Sequence, residues 1–205
     1  MAIIDYGVGN LRSVEKAFGA GGVDAVVSAD EGVLRKAEKL VLPGVGAFRA
    51  CMEALAERGF DRLVRERVEA GTPLLGVCVG MQMLFDESEE FGVTRGLGFL
   101  RGRVRRFPEG LHVPQVGWNQ VAWRRKHALA EGIETGEFFY FVHSYFCDEP
   151  GDDVVVGETE YGLNYASVVA RANVCGVQFH PEKSQAAGLR LLKNFADSVG
   201  QNRER

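Results

Sequence analysis

The chain has 205 residues, 46% of them hydrophobic and 25% charged, with a formal net charge of −4. This composition supplies a core for one compact domain over residues 1–205 and excludes a disordered chain, and the acidic balance argues against nucleic-acid binding. The longest uncharged stretch, Ala70 to Phe85, has 16 residues and is broken by Gly71, Pro73, Gly76, Gly80 and Gln82; a membrane span needs about 20 apolar residues, and the start MAIIDYGVGN lacks the basic region of a secretory signal.

Ala2-Ile3-Ile4 predicts a short strand ending at Asp5 and the glycines Gly7 and Gly9. Leu11, Val14, Ala17 and Phe18 recur at helical spacing and predict an amphipathic helix from Leu11 to Ala20. Asp24 to Ser28 predicts a strand, Glu31 to Ala37 a short helix, and Lys39 to Leu42 a strand running into Pro43-Gly44-Val45-Gly46. Phe48 to Glu57 and Phe60 to Glu69 predict two helices, with a strand from Pro73 to Val77 behind them. These strands are apolar without alternation, as in strands buried on both faces, and their alternation with helices implies right-handed crossovers on a parallel sheet.

The second half changes character. Gly98 to Val121 and Glu137 to Ala170 mix β-branched and aromatic residues with turn residues, which predicts antiparallel or mixed pairing. Val174 to Phe179 predicts another buried strand, and Ser184 to Val199 a closing helix with Leu189, Leu192, Phe195, Ala196 and Val199 on its inner side. The expected architecture is three-layer α/β: a mixed, mostly parallel central sheet flanked by helices, with an added antiparallel portion. A division near residue 95 is the alternative.

Cys51, Cys78, Cys147 and Cys175 are widely spaced, which fits neither a disulfide framework nor a zinc site and predicts reduced thiols in a cytoplasmic protein. Cys78 stands apart. It lies in Gly76-Val77-Cys78-Val79-Gly80, where an apolar strand meets a helical pattern, and this is the cysteine counterpart of a nucleophile elbow. Glycine on both sides relieves crowding at so sharp a turn, the helix N-terminus favours a thiolate, and the Val79 N–H is placed to stabilise an oxyanion. A buried cysteine in a tight strand–helix turn is the competing structural reading.

An elbow needs a base, and there are four histidines. His180, in Val177-Gln178-Phe179-His180-Pro181-Glu182, follows a buried strand, and in extended chain Glu182 projects to the same side. Pro181 biases His180 toward extended geometry, so the segment predicts a base oriented by a carboxylate. A plain strand-end ion pair is the alternative. His143 has no comparable acid nearby in sequence and reads as a site-lining or core residue, while His112 and His127 lie in polar, exposed-looking stretches.

Two other motifs carry less. Gly7-Val8-Gly9 lacks the third glycine of a dinucleotide loop, because residue 12 is Arg12, which argues against a bound dinucleotide; no metal or organic cofactor is expected in this chain. The basic clusters Arg101 to Arg106 and Arg124-Arg125-Lys126 read as solvated faces, with docking of an acidic partner as the alternative.

Taken together, Pro43-Gly44-Val45-Gly46, the elbow continuing into Met81-Gln82, and His180-Pro181-Glu182 resemble the class I (triad) glutamine amidotransferases, in that family's order and over essentially the whole chain. The resemblance implies that fold. It implies Cys78 as nucleophile, His180 as general acid/base and Glu182 as the acid that orients it. It implies an oxyanion strand at Gly44 and Val45 whose amide joins that of Val79, and substrate glutamine held by Gln82 with Gly46, Ser144 and Tyr145. Asp5 to Leu11, Gly117-Trp118-Asn119, Tyr140 to Tyr145 and His180 to Ser184 are similar to the subgroup that serves histidine biosynthesis. That likeness implies a heterodimer with a synthase subunit of (β/α)8-barrel type that receives the ammonia. It also makes Asn10, Trp118, Asn119 and Lys183 candidates for the interface or the site lining. A glutaminase serving another pathway, such as pyridoxal phosphate synthesis, is one alternative, and a non-catalytic interaction module on the same fold is another.

Overall fold

The computed structural model describes residues 1–148, 151 and 153–198. Its first half alternates strand and helix. β1 (Ala2–Ile4) is buried throughout, and α1 (Leu11–Ala20) turns Val14, Ala17 and Phe18 inward. β2 (Val26–Ser28) is shorter than the predicted strand because pairing with β1 begins only at Val26. α2 (Glu31–Lys36) starts at Asp30, whose carboxylate accepts the Val33 N–H at 3.0 Å, a cap worth about 1 kcal/mol. β3 (Leu40–Gly44) continues through Pro43. A proline is admitted to this central strand because pairing with β1 stops at Val41, and the Pro43 carbonyl instead accepts from Tyr6 Oη at 2.6 Å.

α3 (Phe48–Glu57) and α4 (Phe60–Glu69) follow, then β4 (Leu74–Cys78). The helical pattern after Cys78 is a single turn, α5 (Val79–Gln82). It stops there because the carbonyls of Met83 and Leu84 are taken by the N–H groups of Leu97, Phe99 and Leu100 and not by a further helical turn. The chain then enters β5 (Phe85–Ser88) and β6 (Thr94–Arg95).

The second half supplies β7 (Leu100–Arg106), β8 (Gln115–Trp123), β9 (Glu137–His143), β10 (Tyr145–Asp148), β11 (Val155–Glu160), β12 (Asn164–Arg171), β13 (Val174–Val177) and α6 (Gln185–Asp197). Strands β2-β1-β3-β4-β13 form a continuous parallel run of the sheet, and β5 pairs in parallel with β7. Beyond β13 the neighbours β12 and β10 run antiparallel, and β11 leads to the long β8–β9 hairpin. α1 packs with α6, whereas α4 packs with α2 and α3, which gives helical layers on both sides of the sheet.

α6 is rotated from the predicted face. Its buried residues are Gly188, Leu191, Leu192 and Phe195, with Leu189 and Ala196 only partly covered and Val199 outside the described residues. Gly188 sets this rotation: a side chain there would run into the Pro181 carbonyl, so the bare backbone of the first turns presses on the short 3-10 turn Pro181–Lys183. The basic clusters are solvent-exposed, as expected of solvated faces, and several of their side chains make surface pairs. Arg103 and Arg105 pair with Glu89 and Asp148, Arg124 pairs with Glu158, and the Arg125 guanidinium donates to the Val155 and Ala170 carbonyls. Among the described residues no helix is long and apolar enough to cross a membrane.

Candidate active site

Parallel pairing brings the chemistry together. In register, Gly44 lies opposite Cys78, and Val77 opposite Val177, so the ends of β3, β4 and β13 sit side by side. Cys78 is the hinge between β4 and α5, with φ 56° and ψ −114°, a conformation costing of the order of 1–3 kcal/mol for a residue with a side chain. The glycines around it are obligatory by contact. A Cβ on Gly76 would lie 2.6 Å from the Gly80 carbonyl oxygen, and one on Gly44 would lie 2.6 Å from the Gly80 nitrogen. The elbow is thus wedged beneath β3 with only backbone at the crossing.

His180 arrives from the end of β13. Its backbone is anchored twice: its N–H donates to the Tyr140 carbonyl at 2.9 Å, and its carbonyl accepts from Ser184 Oγ at 2.6 Å. Phe179 below it stacks on Phe139, with ring centroids 4.1 Å apart. Glu182 Oε1 meets His180 Nδ1 at 2.9 Å, and both side chains are nearly sealed from solvent. The route differs from the expectation: Glu182 reaches the ring across a 3-10 turn, not along an extended segment. The second carboxylate oxygen, Oε2, is buried and has no hydrogen-bond partner among the described residues, so the carboxylate's one hydrogen bond goes to the imidazole. Cys78 and the ring line the same cavity, close enough for the sulfur to strengthen the ring's hold on its proton. Burial works against the imidazolium, but hydrogen bonds and charge from Cys78 and Glu182 outweigh it and raise His180 to about 10.

A cavity of about 300 Å³ opens over these groups. It is lined by Cys78, His180, Val45, Gly46, Val79, Gln82, Ser144, Tyr145 and Lys183 from the predicted set. Gly44 lies under it beside Cys78, and Glu182 stands behind His180. Val79 opens α5, so helical geometry leaves its N–H without an intrahelical acceptor. The β3 end is held from below on both sides of the Gly44–Val45 peptide. Tyr6 Oη holds the Pro43 carbonyl, and Cys51 Sγ lies 3.3 Å from the Val45 carbonyl. Burial, with Cys51 and Cys78 nearby, pushes the Tyr6 phenol upward and keeps it a donor.

His143 also lines the cavity but is occupied. Nδ1 lies 2.8 Å from the Tyr145 carbonyl, which can only accept, so Nδ1 carries the proton, and Nε2 faces Tyr165 Oη at 3.1 Å. Burial lowers it to about 4, which keeps it neutral. His112 is exposed, but His127 is not: it is half-buried, caps the Ala128–Ala130 turn by accepting the Leu129 N–H, and is lowered by burial and then by Arg125.

Trp118 is exposed on β8, in edge contact with Tyr140, and Lys183 Nζ lies 5.7 Å from the Tyr140 ring centroid. Asn119 faces the other side of the hairpin and donates to the Glu160 carbonyl. Asn10 precedes α1 and is exposed. Neither lines the cavity. Sequence reasoning missed Glu90, which lines the cavity and accepts the Phe48 N–H at 2.6 Å. It also missed Ser184 as an anchor of His180, although the hydroxyl just past a histidine–proline turn was a usable signal. All four cysteines are free, and among the described residues no group of three or more His, Cys, Asp or Glu is placed to hold a metal.

A cysteine elbow, a carboxylate-backed imidazole and a small cavity at the carboxyl ends of parallel strands are the attributes of a class I glutamine amidotransferase. The family model described as "Glutamine amidotransferase class-I" matches residues 2–199, and the chain belongs to that family. Among curated relatives, it is 50% identical over 204 residues to the imidazole glycerol phosphate synthase subunit HisH of Syntrophotalea carbinolica, covering 96% of this chain and 99% of that protein. It is 49% identical over 203 residues to the HisH subunit of Geobacter metallireducens, covering 96% and 97%. Solved structures share the fold: a glutamine amidotransferase at TM-score 0.75 and 23% identity, covering 95% of this chain and 98% of that one, and PurLQS from Thermotoga maritima at TM-score 0.74 and 19% identity, covering 95% of each.

Proposed function

We propose that the chain is the glutaminase subunit of an imidazole glycerol phosphate synthase, hydrolysing glutamine to glutamate and ammonia for a partner synthase. The observation that carries the chemistry is His180, backed by Glu182 at 2.9 Å, lining one cavity with Cys78; about half identity to HisH subunits over nearly their whole length supports the narrower assignment. Cys78 Sγ attacks the side-chain amide carbon of glutamine, and the developing oxyanion is met by the Val79 N–H and by the amide at Gly44–Val45. His180 gives its proton to the departing nitrogen, so ammonia leaves and a glutamyl thioester remains. His180 then takes a proton from water, the hydroxide adds to the thioester, and glutamate departs as the thiolate is restored. Glu90 suits the substrate's α-ammonium, and Gln82, Gly46, Ser144 and Tyr145 suit the rest of glutamine.

Ammonia released to bulk water is protonated and loses its nucleophilicity, so a docked acceptor is expected. The outer face of the β8–β9 hairpin supports its position: Val116, Trp118, Phe138 and Val142 are exposed there, and Val142 and Lys183 border the cavity. A partner of (β/α)8-barrel type, a cytoplasmic location and a single domain over residues 1–205 belong to the same reading, the last supported by one continuous apolar core among the described residues. The test is glutaminase activity of the chain alone, then with a histidine-pathway synthase subunit and its nucleotide substrate. Stimulation supports the assignment. Activity that is unchanged by that subunit, but stimulated by a pyridoxal phosphate synthase subunit, moves the chain to the other pathway. Absence of Cys78-dependent turnover under every condition leaves an interaction module.

A further inference from the structure

Gln178 is the last polar side chain before the aromatic and histidine of the Gln178-Phe179-His180 segment, and it is completely buried. Its backbone N–H donates to the Ser167 carbonyl, which fixes the side chain beneath the elbow. There its amide stands between two residues of the cavity. Nε2 lies 3.9 Å from Cys78 Sγ, and Oε1 accepts from Gln82 Nε2 at 3.1 Å. Gln82 Nε2 also donates to the Tyr145 carbonyl at 3.0 Å.

This chain of amides has only one self-consistent polarity. The Tyr145 carbonyl can only accept, so Gln82 must turn its NH₂ group inward. Gln178 must then offer its oxygen to Gln82, which turns its own NH₂ toward the sulfur. Flipping either amide sets oxygen against oxygen or N–H against N–H between two buried side chains, and buried groups left unpaired in that way cost more than the bonds themselves supply.

We infer that Gln178 is a positioning residue for the glutaminase reaction, a buried donor that holds Cys78 Sγ from the side opposite substrate while keeping Gln82 in register with it. The inference rests on the reading of Cys78 as nucleophile. The sulfur then has three polar neighbours. Beside the imidazole that shares its cavity, Gln178 Nε2 donates to it, whereas the Val142 carbonyl, 3.9 Å away, accepts from it. Removing Gln178 takes away the donor and leaves the acceptor, without touching His180 or Glu182.

Gln178→Met keeps the shape and a weak acceptor for Gln82 but removes the donor. At neutral pH it is expected to slow alkylation of Cys78 by iodoacetamide by about tenfold or more, and to lower kcat by a similar factor with KM changed less than about threefold. Gln178→Glu adds a readout that a purely structural role would not move. Protonated, it presents an O–H to the sulfur; ionised, it presents only oxygen. Its alkylation rate relative to wild type should therefore fall as pH rises from about 5 to 9, and this profile decides the matter if Gln178→Met fails to fold. Alkylation of folded Gln178→Met within about twofold of wild type, or a flat ratio for Gln178→Glu, overturns the inference. Selective labelling of wild-type Cys78 by 6-diazo-5-oxo-L-norleucine separates the two levels: without it the nucleophile reading falls and takes Gln178 with it, and with it an unaffected variant removes Gln178 alone.

Discussion

At His180 the neighbouring side chains set the charge of the ring. The imidazole is raised to about 10 against the penalty of burial, by Cys78 and Glu182 together. An NMR titration of His180 should therefore have its midpoint near pH 10, and Cys78→Ala should move that midpoint down, because the sulfur's share in holding the ring's proton is lost. The same variant should retain less than a few per cent of glutaminase activity while unfolding at a similar denaturant concentration. Cys78 and His180 were legible in the sequence because sterics mark both: an elbow demands glycine on either side, and a proline after histidine restricts the chain. Glu90 and Gln178 were not. Glu90 lies between elements with no motif around it, and a glutamine in a buried strand looks like any polar residue until its amide partners from Gln82 and Tyr145 are brought alongside.

Among the elements, the turn after β13 has the task of holding an imidazole at a fixed height above the sheet. It is secured from β9, through the Tyr140 backbone and the stacking of Phe139 on Phe179, and from Ser184 at the start of α6. Ser184→Ala strips the Tyr140 N–H and the His180 carbonyl of their partner. It should cost about 1–3 kcal/mol in urea unfolding, with a further loss of kcat beyond what reduced stability explains. Phe179→Ala should cost about 3–5 kcal/mol, since a fully buried ring in a filled core leaves a cavity. Element type and order followed from periodicity, and the helices at Phe48 and Phe60 have the predicted bounds. Two features were hidden because they depend on distant backbone. The length of α5 is set by residues 97–100, and the inward face of α6 by a glycine pressed onto the Pro181 carbonyl.

Across the whole molecule, two buried histidines oppose each other in pH. His180 binds its proton more tightly when folded, so its contribution to stability is complete below pH about 6.5 and is lost as pH rises through about 10. His143, lowered to about 4 by burial, contributes fully above pH about 6.5 and loses that contribution as pH falls through about 4. The denaturant midpoint should accordingly decline on both sides of about pH 6.5, and His143→Gln should flatten only the acidic limb. On the β8–β9 face, Trp118→Ala should weaken binding to the synthase by at least about 2 kcal/mol, roughly thirtyfold in Kd by calorimetry, while leaving alkylation of Cys78 unchanged. The pairing of β4 with β13 has a temporal consequence as well. A ribosome delivers the thiol about a hundred residues before the imidazole, so on the proposed mechanism a nascent or prematurely terminated polypeptide that stops short of residue 180 carries a sulfur without its base and leaves glutamine untouched.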